Sequence, residues 1–190
     1  MKRREALAGA ASLGLLAAGG AVAVRGPPSI GGDGNGAGGS NDVSEPIAVE
    51  TLSLPWSDGE PVDVPTEDRV TVVKFFATWC RSCREMLPDV TETHGRVGDD
   101  VQFLSVTTER VGDDGQVTTA DVEDWWEDHG GGEWPVGSDE TAELQVRHDV
   151  AGVPATVVFD ADGVERYSHV GVSTTDELVD AVEAARDGER

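Results

Sequence analysis

Cys80 and Cys83 are the only cysteines among 190 residues, set three positions apart in Trp79-Cys80-Arg81-Ser82-Cys83. A bridge between them would close so small a loop that it removes little entropy from the unfolded chain, which makes a purely structural disulfide a weak explanation. Structural zinc takes four ligands, and neither a second cysteine pair nor a His-x-His cluster stands nearby. Thiol–disulfide exchange needs a nucleophilic sulfur and a second sulfur within bonding reach. The C-x-x-C spacing supplies both.

The elements around the pair sharpen that reading. Val70 to Ala77 is rich in β-branched and aromatic residues and predicts a buried strand. Beyond the cysteines, Met86, Leu87 and Val90 recur with helical spacing. Strand, C-x-x-C, helix puts the first sulfur at a helix N-terminus, where unpaired N–H groups and the macrodipole favour a thiolate. The second sulfur follows about one turn later. Pro88 lies inside this helix and is expected to kink it.

The formal charge is −23, from 37 acidic and 14 basic residues, and Lys2 and Lys74 are the only lysines. The acids are spread along the whole chain, so the phosphates of a nucleic acid would be repelled and such a partner is excluded. No D-x-D-x-D-G calcium loop occurs. An acidic coat almost free of lysine resembles the proteins of salt-loving archaea, where high ionic strength screens self-repulsion.

Residues 1–24 open with Lys2, Arg3 and Arg4 and continue as an Ala/Leu/Gly/Val run to Val24, with Ala21-Val22-Ala23 as a small-residue cleavage site. This is the pattern of an export signal, and Arg3-Arg4 suggests the twin-arginine route. The run is also just long enough to remain as a membrane anchor with the rest of the chain outside. Residues 25–45 are rich in glycine and read as a flexible tether. The domain proper is expected over residues 46–187.

Within it, Ile47–Leu54 and Pro61–Val64 predict an N-terminal β-hairpin or a pair of edge strands, with Trp56 as a packing plug. Val101–Thr107 predicts a second buried strand and Glu109–Gln116 a polar loop. An amphipathic helix over Thr119–His129 presents Val122, Trp125, Trp126 and His129 on one stripe, and Gly130–Gly132 ends it. A short extended piece at Trp134–Val136 precedes a short helix over Asp139–His148, with Asp139 as its cap. Thr156–Phe159 and Val164–Val170 form a hairpin through the turn Asp160–Gly163. Thr174–Arg186 closes the chain as a helix. This order implies an α/β domain with a central mixed sheet and helices on both faces.

FFATWCRSC, Pro88 and GVPATVVFDADG resemble the thioredoxin superfamily, and the hairpin and added strand–helix resemble its exported TlpA/ResA-like branch. The resemblance implies a thioredoxin-like three-layer fold with an N-terminal hairpin extension. It implies that Cys80 attacks a substrate disulfide as thiolate and that Cys83 resolves the mixed disulfide. Trp79 would shield the pair and Arg81 would stabilise the thiolate beside it, with Ser82 standing where relatives carry proline. Pro154 would be a cis-proline, offering the backbone of Val153 to an extended substrate as an added strand. Lys74 stands where thioredoxins carry a buried acid; a lysine there would favour thiolates, or else reach out to the sheet edge. The resemblance implies no cofactor and no metal.

The implied partners are protein thiols and disulfides, with a CcdA/DsbD-like membrane protein to supply electrons. The expected activity is an exported oxidoreductase that reduces its substrates, in cytochrome c maturation or surface-thiol maintenance. The alternatives are a disulfide-forming oxidant and a Sco-like copper chaperone, although the latter pairs C-x-x-x-C with a distant histidine. Monomer is the default expectation.

Overall fold

The computed structural model describes residues 43–188. The expected export segment, residues 1–24, and residues 25–42 of the expected tether lie outside the described residues.

A five-stranded sheet organises the domain, in the order β7-β6-β5-β8-β9. Its centre is β5 (Thr71–Phe76), buried along its entire length and flanked by β6 (Gln102–Thr107) and β8 (Ala155–Phe159). A strand covered on both faces needs apolar residues at successive positions, which is why this run lacks alternation. β5, β6 and β7 (Val136–Ser138) are parallel, while β8 and β9 (Glu165–Val170) run antiparallel as a hairpin. The turn between them, Asp160–Gly163, is fixed by the Asp160 carboxylate, which accepts the N–H groups of Asp162 and Val164, and by Gly163 at φ 79°.

One face of the sheet is covered by α1 (Arg81–Val97), α2 (Thr119–Asp128) and α4 (Thr175–Arg186), whose buried residues join Val72, Phe76, Phe103 and Val158 in one core cluster. The opposite face packs Val73, Phe75, Leu104 and Phe159 against Leu144 of α3 (Glu143–Arg147) and against Val49 and Val64. The two-layered cover matches the expected fold. Both α2 and α4 begin with capping boxes, Thr118 with Asp121 and Thr174 with Glu177. α3 starts later than the sequence suggests: Asp139 stays outside it, and its carboxylate accepts the N–H of Leu144. Helix α1 runs as one element through Pro88 to Val97.

The N-terminal segment forms nested hairpins, β1 (Ile47–Val49) with β4 (Val62–Val64) and β2 (Ser53–Leu54) with β3 (Ser57–Asp58). The chain between β1 and β2 docks on β7, with Leu52 N–H donating to Val136 O and Ser138 N–H to Glu50 O. Gly137 permits that approach, since a Cβ there would lie 2.7 Å from Val49 Cγ1 and 2.9 Å from Glu50 O. Covering β7 removes an open sheet edge.

Candidate active site

β5 ends at Phe76, and the chain turns through Ala77-Thr78-Trp79 into α1. Cys80 is the N-cap of that helix, and its Sγ accepts the N–H of Cys83 at 3.2 Å. The two sulfurs are bonded to each other, with Cα atoms 5.3 Å apart. When the bridge is reduced, the same backbone donor and the helix dipole face the Cys80 thiolate. Cys80 is 5% exposed and Cys83 1%, so the first sulfur is the more accessible. Ser82 Oγ lies 3.5 Å from Cys80 Sγ. Trp79, 72% exposed, stands out beside the pair.

Pro154 is buried at the start of β8, and its peptide bond with Val153 is cis, as is that between Val64 and Pro65. Val153 packs against the cluster that contains both cysteines. Pro154 O accepts the N–H of Gly171.

Arg81 does not stand free beside Cys80. Its guanidinium pairs with Glu85 one turn along the helix, at 2.9 Å, with both side chains largely exposed. Its support for the thiolate is correspondingly reduced by the neighbouring carboxylate and by solvent.

Lys74 departs from one of the two expectations. β5 is central, so its side chain has no sheet edge to reach and is 2% exposed. Strand alternation places it with Val72 and Phe76 on the face beneath α1. Its neighbours in register are Ser105 and Thr156. Nζ donates to Phe75 O at 3.2 Å, and Thr156 Oγ1 is buried without a hydrogen-bond partner. Burial lowers the Lys74 pKa from 10.5 to about 7.

A residue read as part of a polar loop belongs to the site instead. Glu109, 7% exposed, accepts the backbone N–H and the Oγ1–H of Thr78, each at 2.7 Å, and Thr107 Oγ1 lies 3.1 Å from it. Its own N–H donates to Thr107 Oγ1, and its carbonyl accepts from Ser138. The carboxylate thus ties the loop before Cys80 to the end of β6. In a chain with 37 acids, no local signal separates this one from the rest.

The four histidines are dispersed. His148 pairs with Glu165 at 2.8 Å, His129 Nδ1 contacts Trp125 O, His94 meets Phe103 edge-to-face, and His169 lies near Tyr167. Among the described residues no group of three or more His, Cys, Asp or Glu side chains is arranged to hold a metal.

A buried C-x-x-C pair at a helix N-terminus, above a mixed sheet, can be compared with known proteins. Residues 43–185 match the Redoxin family. The chain belongs to that family. Within it, this Redoxin chain is a thioredoxin-like thiol–disulfide oxidoreductase with a TlpA/ResA-like resemblance. It is 22% identical over 138 residues to sporulation thiol-disulfide oxidoreductase A of Bacillus subtilis, covering 72% of this chain and 81% of the relative. The exposed lipoprotein thioredoxin of Streptococcus pneumoniae shares the fold at a TM-score of 0.59 and 24% identity, over 73% of this chain and 98% of that one. A secreted Mycobacterium tuberculosis disulfide oxidoreductase shares it at a TM-score of 0.55 and 20% identity, over 73% and 95%.

Proposed function

We propose that the protein is an exported thiol–disulfide oxidoreductase that reduces disulfides of protein substrates. The observation that carries the exchange reading is Cys80 Sγ at the N-cap of α1, bonded to the more deeply buried Cys83. The reduced protein begins with Cys80 as thiolate and Cys83 as thiol. Cys80 attacks one sulfur of the substrate disulfide, forming a mixed disulfide and releasing the other substrate sulfur as thiolate. Cys83 gives up its proton and attacks Cys80 Sγ. The second substrate sulfur leaves as thiolate, the two substrate thiolates take up the Cys83 proton and one from solvent, and two electrons have passed from the protein to the substrate.

The reducing direction is supported by the charges near the pair. A strongly stabilised thiolate makes a couple oxidising. Here the Arg81 charge is countered by Glu85, and the Glu109 carboxylate holds the N–H of Thr78, two residues before Cys80. Lys74, whose pKa burial lowers to about 7, adds little positive field there above that pH. Val153 offers its backbone to an extended substrate segment, beside Trp79.

Residues 1–24 serve as an export signal or anchor, residues 25–45 as tether and residues 46–187 as the working domain. The outer face of the membrane as location is supported by two structural neighbours described as an exposed lipoprotein and as secreted. A dithiol donor in the membrane, of the CcdA/DsbD kind, restores the reduced form. The substrates are thiol proteins of cytochrome c maturation or of the cell surface, and the protein acts as a monomer. The acidic composition fits a salt-rich habitat.

The test is a pair of variants incubated with a peptide disulfide. Cys83→Ser should accumulate a mixed disulfide visible by gel mobility, and Cys80→Ser should neither turn over nor form one. Normal reduction by Cys80→Ser would remove this mechanism.

A further inference from the structure

Beside the first turn of α1, a groove of about 460 Å³ is lined by Arg81, Arg84, Glu85 and His129. Arg81 and Arg84 directly follow Cys80 and Cys83, so a polypeptide bound at the disulfide passes this groove. Most of the arginines among the described residues already have partners. Arg96, Arg147, Arg166 and Arg186 pair with carboxylates, Arg81 pairs with Glu85, and Arg69 donates to backbone carbonyls and Gln102. Arg110 is exposed in a loop. Arg84, like Arg110, lacks a side-chain partner among the described residues, but unlike it is half-buried. Its side chain makes no ion pair or hydrogen bond among the described residues, and its Nε is shut off from solvent without a partner.

The Nε–H is closed to solvent and so to any ligand, but Arg84 also lines the groove, and the two terminal nitrogens of a guanidinium fit a carboxylate in bidentate fashion. We propose that this groove is a substrate subsite: Arg84 pairs with an Asp or Glu side chain on the polypeptide flanking the disulfide to be reduced. The proposal rests on the exchange reading and adds its substrate class, acidic protein segments. Charge complementarity selects this occupant, because a chain of net charge −23 repels acidic polypeptides over most of its surface. Contact pairing also suits high salt: at about 1 M the Debye length falls to about 3 Å, so long-range attraction is lost while a groove-bound pair persists.

The test compares two disulfide peptides that differ only in flanking residues, Asp/Glu against Asn/Gln, reduced by the full chain at about 0.1 M salt. The ratio of their kcat/KM values is expected to favour the acidic peptide by about tenfold. Arg84→Gln should bring the ratio close to one, and Arg84→Lys should retain part of it. An unchanged ratio in Arg84→Gln, or no preference in the wild type, overturns the subsite. Anisotropy of labelled peptides with serine in place of cysteine separates the two readings. Tighter binding of the acidic peptide that is lost in Arg84→Gln supports the groove even if neither peptide is turned over, a result that would sink the exchange reading alone. Equal binding of both peptides overturns the groove.

Discussion

Lys74 sits on the central strand, and among the described residues its amine has no carboxylate as hydrogen-bond partner and donates only to the Phe75 carbonyl. In the unfolded chain that amine titrates near 10.5, and in the fold near about 7. Between those values the unfolded chain binds a proton that the folded one does not. Stability therefore falls as pH drops from about 10.5 to about 7 and changes no further from this group below that. Lys74→Met should raise stability at pH 7 by on the order of a few kcal/mol, with the gain mostly gone by about pH 10. Urea denaturation at the two pH values measures this. The same variant should resolve mixed disulfides more slowly if the amine takes up the Cys83 proton. A stabilised variant with an unchanged resolution rate would leave Lys74 without that role.

The loop between β5 and α1 is where element-level organisation meets chemistry. It bends sharply, and the bend is held from outside by a carboxylate 31 residues further along the chain, through Thr78. Glu109→Ala should leave the Thr78 N–H without that acceptor and cost about 1–3 kcal/mol. Hydrogen exchange should then show loss of protection at the Thr78 amide while the β5 amides stay protected. Retained protection at Thr78 would mean that the helix N-terminus alone fixes the loop. The capping boxes on α2 and α4, Thr118 with Asp121 and Thr174 with Glu177, are local, because both partners lie within one turn. The Glu109 clamp is not, because its partners meet only after β6 lies beside β5.

At the scale of the whole molecule, the surface carries far more acid than base, and the exposed ion pairs among the described residues are mostly local, such as Arg81 with Glu85 and Arg147 with Glu143. Such pairs add little, whereas self-repulsion of a −23 chain acts over the Debye length, about 10 Å at 0.1 M salt. The urea midpoint should rise steadily as sodium chloride increases from about 0.1 M to about 1 M, where the screening length shortens to about 3 Å. A midpoint independent of salt would mean that the acidic coat does not limit stability.

The sequence by itself determined the redox pair, its place between strand and helix, the order of the elements and the mixed sheet. Each rests on spacing, side-chain type and backbone preference over a few neighbouring residues, from the buried run at Val70–Ala77 to the turn at Asp160–Gly163. The family resemblance added the cis bond before Pro154, which no local pattern announces. Tertiary structure decided what depends on distant segments meeting. It put Lys74 in the centre of the sheet instead of at its edge, because strand order is not written in any one strand. It buried Glu109 beneath the active-site loop and laid residues 50–52 over Gly137. It also left the Arg84 side chain without a partner among the described residues, beside the disulfide.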